Sequence, residues 1–133
     1  MQELLAAYQS TIYALGALSV LMLIQLLVAD FAGIKAGHTP GVPITGGHDN
    51  FLFRAARTVA NINESISIFV LAVLFCLLQG ASPEATAGFC WLYIGARMVY
   101  SLCYYFNIKL FRSIAFVVSL IGVVGLLFIG FTS

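Results

Sequence analysis

The stretch Phe53-Arg54-Ala55-Ala56-Arg57-Thr58-Val59-Ala60-Asn61-Ile62-Asn63-Glu64-Ser65 sets two guanidiniums, a carboxamide and a carboxylate into a chain otherwise built of apolar residues. On a helix turning about 100° per residue, Arg54, Arg57, Asn61 and Glu64 fall within an arc of roughly 80° and form one polar stripe. With a rise of about 1.5 Å per residue, the stripe runs roughly 15 Å inward from the start of its segment. Polar groups at such a depth in lipid are costly and are usually functional, so something polar must meet them.

The surroundings of the stripe define that solvent. Of 133 residues, 62% are hydrophobic and 8% charged, against about 45–50% and about 25% in a soluble domain. This composition predicts an integral membrane protein of all-α class, because a spanning segment must satisfy its backbone internally. Four long apolar runs each reach or approach the about 20 residues that cross the hydrocarbon as a helix. The chain is thus expected to be one four-span domain over 1–133, with helices at about 8–32, 50–79, 83–106 and 112–131. Between the first two runs, Gly33 to Asn50 holds two prolines and five glycines, which end a helix and make a loop. Asn50 is a natural N-cap, and in Gly80-Ala81-Ser82-Pro83-Glu84 the serine can cap a helix opened by Pro83.

Charge placement orients the bundle. Lys35, Arg54, Arg57, Lys109 and Arg112 gather at the end carrying loops 1 and 3, whereas the other end carries Glu3 and Glu84. The positive-inside rule makes loops 1 and 3 cytoplasmic and puts both termini on the opposite side, across the inner membrane if the source is bacterial. No Lys or Arg precedes residue 35, so the first run lacks the basic flank of a cleavable signal and is expected to stay as a span. No basic tract suggests nucleic acid. Cys76, Cys90 and Cys103 lie within apolar runs without ligand spacing and read as buried small hydrophobes. His38 and His48 lie in the glycine-rich loop, also without ligand spacing, so no metal is expected.

The third run answers the stripe: Arg97, Tyr100 and Tyr104 share one helical face. Counted from their respective ends, Arg97 lies roughly 14 Å deep and Glu64 roughly 20 Å deep, which predicts an ion pair between them. With Lys109 and Arg112 the two faces outline a net cationic pocket. A fitting ligand carries carboxylates for the arginines, an ammonium for Glu64 and a reactive or apolar end toward the lipid. Glutathione has these groups, and a guanidinium or phenol that stabilises its thiolate would activate it.

With these residues in place the chain resembles the bacterial branch of the MAPEG family, the membrane-associated proteins in eicosanoid and glutathione metabolism. The resemblance rests on Arg54, Arg57, Asn61 and Glu64 as the family's Arg-x-x-Arg-x-x-x-Asn-x-x-Glu signature, and on Arg97, Tyr100 and Tyr104 in the third helix. It implies a homotrimer in the lipid bilayer that binds glutathione between subunits near the cytoplasmic face. The positions matching Arg57, Asn61, Glu64, Tyr100 and Tyr104 then contact glutathione, and the Arg97 position pairs with the glutamate. Arg112, followed by Ser113, is the candidate for stabilising the thiolate, and Arg54 and Arg97 complete the expected binding set. The implied activity is glutathione transfer to a lipophilic electrophile or reduction of a lipid hydroperoxide.

The chain departs from the family at the end of helix 1, where it offers only Lys35, which cannot reproduce a bidentate guanidinium clamp. That departure leaves room for a family member serving as a non-catalytic scaffold. A small proton-coupled four-span transporter is the other alternative, although cations crowding the one buried carboxylate would repel a cationic substrate.

Overall fold

A computed structural model describes all residues 1–133 as an all-helical chain without strands. Its elements are α1 (Gln2–Ala7), α2 (Gln9–Lys35), α3 (Phe51–Gln79), α4 (Pro83–Tyr105) and α5 (Lys109–Phe131). There are thus five helices where the apolar runs predict four. The extra one is the lead-in: Gln2–Ala7 consists of good helix formers, and the chain breaks step only at Tyr8, whose buried ring sends its hydroxyl to the carbonyl of Ala81. Helix α2 runs on to Lys35, past the expected Ala32, and α5 starts at Lys109, ahead of the expected Arg112.

The helix ends follow from local chemistry. The Asn50 side chain accepts from the Leu52 amide at 2.9 Å to open α3, and Gly80, at φ 68°, closes it in the left-handed region. Ser82 caps α4 through the Ala85 amide at 3.3 Å, and Pro83 occupies its first turn, where the missing N–H costs nothing. Asn107, the single non-glycine residue at positive φ, turns the chain into α5.

Helices α2, α3 and α5 are long and apolar enough to cross a membrane by length and composition. Helix α4 has 23 residues, long enough to span at about 1.5 Å each, but Arg97 and its hydroxyl-bearing neighbours dilute its apolar character. Large apolar side chains such as Leu71, Leu78, Val124 and Phe128 point outward, as expected of an integral membrane protein facing acyl chains.

The four long helices enclose one main core. In it Phe69 of α3 stacks on Tyr93 of α4, with centroids 4.1 Å apart and planes 10° off parallel, surrounded by Leu18, Ile62, Val73, Cys76, Cys90, Val123 and Leu126. A smaller cluster of Tyr100, Tyr104 and Ala115 with Phe116 lies toward the loop 3 end.

Helices α4 and α5 make the most extensive pairing, and glycine permits it. A Cβ on Gly122 would sit 3.1 Å from the Phe89 carbonyl oxygen and 3.2 Å from the Tyr93 nitrogen, and one on Gly125 would enter the Phe89 ring. Gly88 and Gly95, in contrast, face open space. Because backbone atoms meet Gly122, Gly122→Ala is expected to destabilise the bundle by about 1–3 kcal/mol, the usual range for overpacking. Thermal unfolding in detergent checks this, and an unchanged midpoint contradicts the close approach.

Candidate functional site

The site gathers where the loop-side halves of α3, α4 and α5 meet. A cleft of about 300 Å³ is lined by Arg57, Asn61, Tyr100, Tyr104, Arg112, Ser113, Phe116 and Val117. Six of the nine residues expected from sequence therefore line one cavity, at the lower end of the about 300–1,000 Å³ typical of small-molecule sites. No carboxylate is among them.

Helix α3 contributes Arg57 and Asn61, one turn apart on one face. The Arg57 side chain is 37% exposed, and its Nη1 lies 3.9 Å from Oε1 of Glu64, whose side chain is 63% exposed. Glu64 therefore stands at the rim, and it does not pair with Arg97 as the depth estimate predicts. The reason is azimuth. Glu64 stands three positions after Asn61, which turns it about 60° around the helix; Asn61 faces α4 and is buried, whereas Glu64 faces outward.

Arg97 of α4 takes Asn61 instead. It is fully buried, donates through Nη1 to Asn61 Oδ1 and through Nη2 to Ser65 Oγ at 2.8 Å, and its Nε has no partner. Three rings surround the guanidinium, those of Tyr93, Tyr100 and Phe116, at 5.4, 5.4 and 5.3 Å from their centroids. Ser65 in turn meets the Tyr93 hydroxyl at 2.9 Å. A buried cation thus sits one layer behind the cleft, held by neutral oxygens and π faces with no carboxylate within the chain.

Helix α5 brings Arg112 and Ser113 in its first turn. The Arg112 guanidinium lies over the Tyr104 ring at 4.4 Å, and its Nη1 is buried without a partner. The dipoles of the first turn add positive potential at the same place. Ser113 donates to the Lys109 carbonyl at 3.3 Å, which leaves its oxygen as a minor acceptor. Tyr100 and Tyr104 meet edge to face, centroids 5.0 Å apart, and form the wall between the arginines.

Arg54 is placed elsewhere. Its Nε donates to the Tyr104 carbonyl at 2.9 Å, Nη2 reaches the Tyr105 carbonyl at 3.4 Å, and Nη1 donates to the His48 carbonyl at 2.6 Å. The last carbonyls of a helix lack intrahelical partners and carry negative potential, so Arg54 closes the end of α4 and ties loop 1 to it, outside the cleft lining. Lys35 lies in a separate apolar groove of about 630 Å³ between α2 and the start of α3, with Val28, Phe31 and Phe51. That groove is larger than the cleft, but its only polar side chains are Lys35 and Asn50, and the Asn50 oxygen is engaged in capping α3.

Sequence reasoning overlooked several partners. Ser65 follows Asn61 by four residues and Tyr93 precedes Arg97 by four, so helical spacing already marked both. His48, whose ring stacks on Tyr104 at 5.9 Å, and Gln25, which is buried and donates to Ser101 Oγ at 2.5 Å, carried no such signal. Ser101 passes the link on to the Arg97 carbonyl at 3.0 Å.

The fold and the site together define an integral membrane helical protein with a cationic, aromatic-walled cleft between three of its helices. The chain belongs to the MAPEG family, whose model matches residues 11–132. No curated protein and no solved structure matches it.

Proposed function

We propose that the protein is a membrane glutathione-dependent transferase or peroxidase acting on lipophilic electrophiles or lipid hydroperoxides. The observation that carries this reading is the convergence of Arg57, Asn61, Tyr100, Tyr104 and Arg112 on one cleft without a carboxylate, with the Arg112 Nη1 buried and unpartnered. Buried donors without acceptors suit an anionic ligand. Family membership supports the choice of glutathione, whose carboxylates match the guanidiniums and whose ammonium matches Glu64 at the rim.

In this reading Arg57 and Asn61 hold a carboxylate, Tyr100 and Tyr104 bound the tripeptide, Glu64 receives the ammonium, and Ser113 fixes the loop 3 side. Bound glutathione supplies a thiol whose thiolate is the nucleophile or reductant. Arg112, already oriented by the Tyr104 ring, holds negative charge at the sulfur and so favours loss of its proton. Phe116 and Val117 form the apolar wall from which a lipid-soluble substrate approaches. A proton-coupled transporter would need its carboxylate inside the cavity, and Glu64 stands outside the lining.

The assembly is a homotrimer in this account, with α4 as the fourth span, loops 1 and 3 cytoplasmic and, for a bacterial source, the inner membrane as its location. The support within the chain is Glu64: about 20 Å along α3, it is mostly exposed together with Asn63 and Ser67, and a carboxylate there is costly against lipid. Neighbouring subunits would cover it. The test is a difference spectrum of glutathione mixed with purified protein whose mass in detergent corresponds to three chains. Thiolate absorbance at neutral pH is expected; its absence with saturating ligand contradicts activation by this site, and a monomeric mass contradicts the trimer.

A further inference from the structure

We infer that Arg97 is a positioning residue: by fixing the Asn61 carboxamide with its oxygen turned inward, it keeps an amide donor in place of a carbonyl acceptor facing the cleft, which then favours a ligand with two carboxylates. This deepens the reading of the cleft given above and rests on it.

The chemistry of Arg97 decides the orientation. A guanidinium has donors and no acceptor, so the Asn61 atom it meets must be the carbonyl oxygen Oδ1. The amino group of Asn61 is then what the carboxamide offers elsewhere; it has no partner within the chain, and Asn61 lines the cleft. Ser65 holds the second arm of the fork at 2.8 Å, and the rings of Tyr93, Tyr100 and Phe116 pack around the guanidinium. Arg97 therefore cannot turn to release Oδ1 without giving up several contacts, and the carboxamide cannot flip without setting donor against donor.

The consequence reaches the ligand. The two guanidiniums of Arg57 and Arg112 and the Asn61 amino group, groups that donate and cannot accept, line one cavity together with Tyr100 and Tyr104. Counting Arg97 behind the wall, three guanidiniums face one carboxylate, that of Glu64 at the rim. Two positive charges remain for the ligand to balance, which favours two carboxylates over one. A flipped Asn61 would present an oxygen to the same ligand, and specificity would fall through repulsion.

The test is calorimetric titration of the protein in lipid nanodiscs with glutarate, butyrate and glutathione, on wild type, Asn61→Asp and Arg97→Lys, each with its thermal midpoint. Asn61→Asp keeps an oxygen for Arg97 but turns the other toward the cleft. Glutarate binding is expected to weaken by about 10- to 100-fold, the worth of a hydrogen bond to a charged group, while the midpoint stays or rises. Arg97→Lys keeps the charge but loses the fork, and glutarate binding is expected to weaken by about 3- to 10-fold. Wild type should prefer glutarate to butyrate.

Unchanged glutarate affinity in Asn61→Asp overturns the inference, as does equal binding of butyrate and glutarate by wild type. Should Arg97→Lys fail to fold, Asn61→Asp decides alone; if it folds and binds as wild type, Arg97 has no positioning role. The expected glutarate pattern without glutathione binding overturns the glutathione reading alone, whereas glutathione binding without glutarate binding overturns the inference alone. Binding of neither overturns both.

Discussion

Arg112→Ala is expected to lower glutathione-dependent turnover by about 100- to 1,000-fold, the cost of removing one preorganised donor from a developing anion, while glutathione affinity falls less than about tenfold. The separation follows from geometry. Arg57 and Asn61 remain to hold a carboxylate, whereas Arg112 is the cleft cation with an unpartnered donor, Nη1, and a ring beneath it that fixes its direction. Nor should unfolding account for the loss. A cation in the first turn of α5 opposes the helix dipole, so its removal is neutral or worth a few tenths of a kcal/mol in the helix's favour, within the about 0.3–1 kcal/mol scale of such effects. Arg112→Lys keeps a charge without the planar fork and should fall between. The check is steady-state kinetics with one electrophile and one hydroperoxide beside thermal midpoints. Wild-type turnover in Arg112→Ala removes its proposed role, and a matching loss of binding makes it a ligand clamp instead.

Arg57→Ala is expected to weaken glutathione binding by about 10- to 100-fold, since a hydrogen bond to a charged partner is worth about 1.5–3 kcal/mol. Two effects act in the same direction. The cleft loses a guanidinium, and Glu64 loses the cation 3.9 Å away, so its carboxylate faces an incoming anion uncompensated. Stability should change little, because the pair is partly exposed and such pairs contribute weakly. A folded variant with wild-type affinity would place the carboxylates elsewhere. Loss of the folded state would instead make Arg57 a structural residue, like Arg54.

Arg54 and Arg57 stand one turn apart on the same helical face, yet they meet different partners. Arg54, Arg57, Asn61 and Glu64 share one stripe by helical phase, and two of them, Arg57 and Asn61, line the cleft with Tyr100, Tyr104 and Arg112. What each meets depends on which helix lies opposite. Arg54 lies level with the C-terminal carbonyls of α4 and is consumed by them; only the packing of α3 against α4 reveals that. The Glu64–Arg97 pair failed for a related reason. Depth along two helices can be counted from sequence, but the 60° between Asn61 and Glu64 selects the partner, and depth carries no azimuth. Ser65 and Tyr93 were within reach of the same helical arithmetic, because each stands four residues from a residue already singled out.

The helical class and its punctuation were easier to read, since they depend on local chemistry: Asn50, Gly80, Ser82 and Pro83 act within a few residues of themselves. The step at Tyr8 was not local. It arises where a buried ring meets the Ala81 carbonyl between α3 and α4. Helix α4 shows the limit of apolar content as a guide, because the residues that build the wall of the cleft, Arg97, Tyr100 and Tyr104, are those that reduce its resemblance to a span.

Calorimetric titration of the wild-type protein in lipid nanodiscs tests most directly whether this cleft binds glutathione. Saturable binding at one site per chain, lost on excess of a competing dicarboxylate, is the predicted result. A folded, trimeric protein that gives no binding heat at any temperature, and protects no cleft residue from exchange, would contradict it.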